Sequence, residues 1–204
     1  ESRRYFIGIV GKYGAQVQAL LKKAATLDIQ TICPLHGPIL KENLGYYIGK
    51  YMTWSSYEPE DDGVLVAYAS IHGNTKKAAE KMKEILEAKG AKKVAITDLS
   101  RDDMAEAIED AFRYDKLVLA AASYDASVFP CMETFLNKLT NKNYQNRKIA
   151  IIENGSWAPT AARVMTGMFE KSKEITWLEH SVKIMSSLSE ENEKELDAMA
   201  EELL

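Results

Sequence analysis

The chain has 204 residues, of which 46% are hydrophobic and 27% charged, with a net charge of −4. That length allows one large domain, or one domain with a piece of another, and enough apolar residue for a sizeable core. Acidic and basic residues are mixed, without the concentrated basic patch that nucleic acid requires, without an apolar run near the roughly 20 residues that span a bilayer, and without a charged-then-apolar leader. No nucleic-acid or membrane partner is therefore expected. Cys33 and Cys131 are few and far apart, which favours free thiols in a reducing cytoplasm over a disulfide framework. The first residue is Glu1 and the chain opens within an expected helix, so a fragment of a longer protein is expected.

In chain order, residues 1–57 come first, with an amphipathic helix from Arg3 to about Leu27. Ile29 to Pro38 is expected as a strand ending in the turn His36-Gly37-Pro38, and a second helix runs from about Lys41 to Trp54. Residues 58–62 lie in the polar, acidic stretch Ser55–Gly63, which carries Pro59 and Gly63 and is the best linker candidate. Residues 63–204 then alternate regularly. Val64–Ala69 is a short apolar run, as in a strand buried on both faces. Asn74–Lys89 has helical apolar spacing stopped by Gly90. Lys93–Leu99 alternates as a strand, and Asp102–Phe112 follows as a helix capped by Ser100 or Asp102. Lys116–Ala122 is a strand and Met132–Leu139 a helix opened by Pro130. Lys148–Ile152 is a strand and Thr160–Lys171 a helix. Glu179–Met185 is the last strand, and Ser189–Leu204 a helix capped by Ser189. Five strand–helix pairs in strict alternation predict an α/β fold: a five-stranded parallel sheet with helices on both faces. Ligands of such sheets bind at the carboxyl ends of the strands, so the loops after the first, third and fourth strands carry the candidate chemistry.

The first of these loops is Ser70-Ile71-His72-Gly73-Asn74-Thr75. It follows a buried strand and opens a helix, whose free N–H groups and dipole attract a phosphate. Ser70, Asn74 and Thr75 add side-chain donors, and Gly73 allows close backbone approach. The Lys of a triphosphatase loop is missing, which suits a monophosphate held without transfer. An ordinary capped turn is the plainer alternative for this loop alone. The second loop holds Ser123, Tyr124, Asp125 and Ala126; the third holds Asn154, Gly155, Ser156 and Trp157. A loop aromatic is most often just half-buried surface. Two of them at neighbouring strand ends beside a phosphate loop can sandwich a flat ring and shield it from water. Their backbone amides can hydrogen-bond the edge of a flavin, which makes FMN the expected cofactor.

These residues carry a resemblance. Residues 62–204 resemble a flavodoxin domain, and the run Tyr124 to Leu136, with Phe129-Pro130 and Met132-Glu133-Thr134-Phe135-Leu136, is similar to the flavodoxin part of flavodiiron proteins. Asp125 stands where that family usually has Asn, and Asn154-Gly155-Ser156 replaces its usual residues before the matching Trp157. Residues 1–57 resemble the last stretch of the family's metallo-β-lactamase-like di-iron domain, and by that match His36 is a metal-ligand candidate. The resemblance implies an FMN-dependent oxidoreductase that takes electrons from a rubredoxin-like or other small redox donor. It passes them to a di-iron centre that reduces oxygen to water or nitric oxide to nitrous oxide. It also implies a head-to-tail homodimer. A lone turn His is more often structural, however. With only His36, His72 and His180 present, and the family's His-x-Glu-x-Asp-His cluster missing, one imidazole cannot hold two irons. The chain alone is not expected to assemble the di-iron site. A complementary fragment or second subunit would supply the remainder and cover the apolar faces of residues 1–57. Cys131, at a helix start, is read as loop packing. Two alternatives share the fold. A flavodoxin-like NAD(P)H:quinone reductase would use the same three loops. A receiver-type signalling domain would need acids at the end of the first strand, where Tyr68-Ala69-Ser70 has none.

Overall fold

The computed structural model describes all of residues 1–204. Its sheet is built on β1 (Asp61–Ala69), β2 (Val94–Asp98), β3 (Tyr114–Tyr124) and β5 (Arg147–Asn154), with β6 (Ile175–Trp177) and β7 (Val182–Ile184) sharing the far edge. The order is β2-β1-β3-β5-β6, with β7 also pairing with β5; all of these pairings are parallel. A short strand β4 (Ser127–Val128) folds back antiparallel on the end of β3. The parallel α/β sheet expected from the alternation is therefore present.

Alternation within β1 explains the two cores. Leu65, Ala67 and Ala69 face one side and Val64, Val66 and Tyr68 the other, all buried. The helices α4 (Asn74–Ala88) and α8 (Glu190–Leu203) cover the second face, while α5 (Met104–Arg113), α6 (Pro130–Thr140) and α7 (Ala161–Met168) cover the first. Ser189 caps α8 in a reciprocal capping box with Asn192, as the sequence indicates.

Several expectations are corrected. The helix expected over Arg3–Leu27 is helical from Ser2 to Ala24 but irregular: α1 (Ser2–Tyr5), a π turn (Phe6–Val10), a 3-10 turn (Gly11–Tyr13) and then α2 (Gly14–Ala24). Gly8, Gly11 and Gly14 weaken the helix there, and the Tyr57 hydroxyl replaces lost helical bonds by donating to Gly11 O at 3.0 Å and accepting from Gly14 N at 3.3 Å. A Cβ at Gly14 would collide with the Ser55 carbonyl. The strand expected over Ile29–Pro38 reduces to a single bridge between Ile32 and Leu40, because no second strand offers its backbone groups a ladder. The second helix, α3, starts later, at Leu44, and ends at Ser55. β1 begins at Asp61, inside the expected linker. Asp103, not Ser100 or Asp102, caps α5, accepting from Ala105 N at 2.8 Å; the Asp102 carboxylate is taken by Asp98 N at 2.7 Å. The last strand, expected over Glu179–Met185, shortens to Val182–Ile184, and an unexpected short strand, Ile175–Trp177, precedes it.

Residues 1–57 pack directly on the sheet domain. Phe6, Ile7 and Trp54 are buried in the first-face core, with the Phe6 ring 5.1 Å from Tyr51 and 5.5 Å from Trp54. Around them the Glu60 carboxylate, only 7% exposed, accepts from Arg3 Nε at 2.6 Å, Lys50 Nζ at 2.6 Å and Trp54 Nε1 at 2.8 Å. The same segment leaves Ile9, Leu20, Leu27, Leu35 and Ile39 exposed, Leu35 by 98%.

Candidate functional site

Three loops meet at the carboxyl ends of β1, β3 and β5 and enclose a cleft of about 570 Å³, within the range of small-molecule sites. Thirteen of the fourteen expected residues line it: Ser70, Ile71, His72, Asn74, Thr75, Ser123, Tyr124, Asp125, Ala126, Asn154, Gly155, Ser156 and Trp157. Gly73 is not on its wall.

Gly73 instead shapes the loop. Its φ of +88° is left-handed, which glycine alone adopts without strain, and it turns the chain from β1 into α4 as that helix's N-cap. The Ser70 hydroxyl accepts from Gly73 N at 3.1 Å. The N–H groups of Asn74, Thr75 and Lys76, in the first turn of α4, have no acceptor in the chain. Thr75 is only 2% exposed, and its hydroxyl has no hydrogen-bond partner either. A helix start with three free amides and a recessed hydroxyl has the donor set that a phosphate monoester satisfies. No Lys or Arg lines the cleft.

The other two loops are locked to each other. Asp125 and Ala126, at φ 50° and 56°, turn β3 back into β4, as a two-residue hairpin with both central residues left-handed. Ala126 has no short polar side chain to ease that conformation, which costs about 1 kcal/mol and places strain at the site. The Ser123 hydroxyl accepts from Thr160 N at 2.7 Å and Ala161 N at 3.1 Å, while Thr160 Oγ1 donates to Ser127 O at 2.8 Å. Ser123 thus holds the start of α7 as well as lining the cleft. The Asn154 side chain is bound to Ser186, donating to its carbonyl at 3.0 Å and accepting from its N–H at 3.2 Å. Buried Glu153 accepts from Ala162 N at 3.0 Å, with Lys183 at 3.6 Å. Against this fixed frame Tyr124 is 48% and Trp157 88% exposed. Two large apolar rings left that open at the rim of a cleft are available to cover a flat ligand.

Sequence reasoning passed over Ala122, Ala158, Thr160 and Ser186, which complete the wall. The first three lie within or next to the loops already singled out. Ser186 follows β7, the strand beside β5, so sheet order was the signal that could have found it.

A larger cleft of about 730 Å³ lies at the opposite pole, between residues 12–57, the α6–β5 loop and the end of α7, with Lys12, Asn141, Asn143, Lys171 and Lys173 on its wall. It faces the amino ends of the strands, whereas ligands of parallel sheets bind at the carboxyl ends, so the smaller cleft has the better position for a phosphorylated ring. His36 is exposed, its ring 5.5 Å from Tyr5. No group of three His, Cys, Asp or Glu side chains able to hold a metal ion is present, and the residues here do not fit a di-iron centre. Cys33 and Cys131 are both free, Cys131 Sγ lying 3.4 Å from Ser100 Oγ. No helix is long and apolar enough to cross a membrane.

The flavodoxin domain family matches residues 65–184. Over 180 residues the chain is 22% identical to an anaerobic nitric oxide reductase flavorubredoxin of Aeromonas hydrophila, covering 86% of this chain and 36% of that protein. Two solved structures share the fold across 98% of this chain and 50% of their own: the flavodiiron protein of Giardia intestinalis (TM-score 0.90, 18% identity) and the rubredoxin oxygen:oxidoreductase of Desulfovibrio gigas (TM-score 0.87, 17% identity). The chain spans about half the length of those solved proteins and about a third of the flavorubredoxin. The chain belongs to the flavodoxin domain family and is a relative of the flavodiiron proteins.

Proposed function

We propose that the cleft binds FMN non-covalently and that the chain is the electron-transfer part of a flavodiiron oxidoreductase. The observation that carries this reading is the phosphate cradle: three unpaired amides and the recessed Thr75 hydroxyl at the mouth of β1. In this reading the amides of Asn74, Thr75 and Lys76 hold the phosphate, with Ser70 fixing the loop behind them. Tyr124 and Trp157 cover the ring and keep water from it. Backbone groups of 123–126 and 154–157 orient its polar edge. FMN, when bound, supplies one- and two-electron redox chemistry.

The reading extends to the complete protein. Residues 1–57 are the end of a metallo-β-lactamase-like domain, 58–62 the connection and 63–204 the FMN domain. A rubredoxin-like or other small donor delivers electrons. A complementary fragment or a second subunit of a homodimer supplies the di-iron centre, where oxygen is reduced to water or nitric oxide to nitrous oxide. His36 contributes to that centre only in such an assembly. The apolar residues Ile9, Leu20, Leu27 and Leu35 support a missing neighbour, and the names of the relatives support the substrates. Two unpaired thiols fit a cytoplasmic protein.

Titration of flavin-free protein with FMN, with a metal assay on the purified sample, tests the reading. One FMN per chain without iron supports it; no uptake refutes it. Trp157→Ala should weaken FMN by about 0.5–1.5 kcal/mol, roughly two- to twelvefold, through lost stacking, and shift the flavin potential. Unchanged affinity and potential would remove Trp157 from the site.

A further inference from the structure

We propose that the larger cleft, at the amino ends of the strands, is a second binding site, taking a small multiply charged anion of the pyrophosphate class, and that its occupant clamps residues 1–57 to the sheet domain. The site lies at the opposite pole from the flavin cleft and does not depend on what that cleft holds.

The fold gathers here cations that are scattered in sequence. Lys12, from the N-terminal segment, and Lys171 and Lys173, from the run after α7, stand on the wall and face one acid, Glu170. None of the three ammonium groups makes an ion pair or a hydrogen bond within the chain; that of Lys12 rests 4.9 Å from the centre of the Tyr13 ring. Lys138 and Lys142 follow on the adjoining surface, which shares Lys12 and Asn141 with the cleft. Burial and the charges of Lys138 and Lys12 push the Lys142 ammonium below its ordinary range, as crowded positive charge does. Behind the wall Arg147 is only 3% exposed. Its guanidinium donates to the carbonyls of Tyr57 at 2.7 Å and Asn146 at 2.8 Å, and its Nε has no partner. No carboxylate pairs with it; Glu58 and Asp115 act on it only at a distance.

The ends of α6 and α7 oppose an anion, each bringing about half a negative charge to this pole. Lys138, in the last turn of α6, and Lys142, just past it, answer the first. Three wall lysines against Glu170 and the other helix end leave the cleft positive, on a chain whose net charge is −4. A concave wall focuses that field. Unused donors stand beside the charges: the Lys171 and Lys173 N–H groups have no acceptor in the chain, and the Asn141 amide and Ser172 hydroxyl donate to nothing. Ammonium groups and free amides grip phosphoryl oxygens through charge-assisted hydrogen bonds. At about 730 Å³ the cleft has room for two phosphoryl groups and a modest organic body. Its two sides are already joined, since the Asn143 side chain donates to Lys12 O at 3.0 Å. Lys12 belongs to residues 1–57, and Lys171 and Lys173 to the sheet domain. An anion that touches both sides therefore resists their separation.

The test is titration of the chain, with and without FMN, with inorganic pyrophosphate at constant ionic strength, read by calorimetry and by backbone amide NMR. One pyrophosphate per chain should bind, more tightly than orthophosphate, and move the Lys12, Asn141, Lys171 and Lys173 amides whether or not FMN is present. At about ten times its Kd it should slow proteolysis within residues 1–57 about tenfold. In Lys12→Gln/Lys173→Gln the Kd should rise about tenfold; both side chains are exposed and unbonded, so the variant keeps its fold and its FMN affinity. No saturable binding, shifts confined to the Asn74, Thr75 and Lys76 amides, or an unchanged Kd in the double variant overturns the site. Binding at these lysines without protection of residues 1–57 overturns the clamp. Failure of FMN to bind bears on the flavin reading alone.

Discussion

Glu60→Gln is expected to destabilise the chain by about 3 kcal/mol and to loosen residues 1–57 from the sheet domain. The Glu60 carboxylate is shared by Arg3, Lys50 and Trp54, and a neutral amide leaves Lys50 without an acidic partner and Arg3 with one of its two against a largely buried surface. Arg3 retains Glu109 at 2.6 Å, and the Arg3 and Lys50 side chains are 20% and 28% exposed, which puts the loss at the low end for a broken buried pair. Urea unfolding midpoints would measure it, and faster proteolysis within residues 1–57 would locate it. Burial opposes ionisation of Glu60, but the hydrogen bonds from Arg3, Lys50 and Trp54 outweigh it and hold the carboxyl well below the usual range. Its folded form therefore releases the proton more readily than the unfolded chain does. The stability it contributes is fully present above the ordinary glutamate range, near pH 4.3, and is lost as pH falls toward the folded value. Glu60→Gln should lack that acid-side loss. An unchanged midpoint with an unchanged acid profile would show that the apolar contacts of Phe6, Ile7 and Trp54 hold the segment without the ion cluster.

Thr75→Val should separate binding from folding. The substitution keeps the shape of a side chain that is 2% exposed and removes a hydroxyl with no partner in the chain, so the flavin-free protein should be as stable as the wild type or slightly more so. FMN, in contrast, should bind about 1.5–3 kcal/mol more weakly, roughly 10- to 150-fold, because a hydrogen bond to a charged phosphate is lost. Riboflavin affinity should not change. Fluorescence titration with both flavins, alongside thermal melts of the flavin-free proteins, checks each part. Equal loss for FMN and riboflavin would move the hydroxyl away from the phosphate.

Most of the sheet domain was legible because its signals are local. Buried runs such as Val64–Ala69, the stop at Gly90 and the Ser189 cap each fix an element without reference to the rest. The loops were found for a related reason: strand order in a parallel sheet dictates which ends converge, so Ser70–Thr75, Ser123–Ala126 and Asn154–Trp157 had to be neighbours. What escaped depended on distant partners. The irregularity after Tyr5 rests on Tyr57 reaching back to Gly11 and Gly14, a contact that periodicity does not encode. Ile29–Pro38 has the composition of a strand but no neighbouring strand beyond the bridge at Ile32 and Leu40. Glu60 looked like part of a polar linker, because a buried carboxylate and a solvated one have the same letter. Ser123 and Asn154 were chosen as cleft residues, and they also carry the bonds that join β3 to α7 and β5 to the end of β7, a double role that spacing cannot reveal.

The central claim is that the phosphate of FMN rests on the start of α4. Backbone amide NMR of the labelled chain during FMN titration tests it most directly. The account predicts that the Asn74, Thr75 and Lys76 amides move furthest and saturate at one FMN per chain, with the Trp157 indole N–H following. Largest shifts at Lys12, Asn141, Asn143 and Lys173, around the larger cleft at the other end of the sheet, would contradict it.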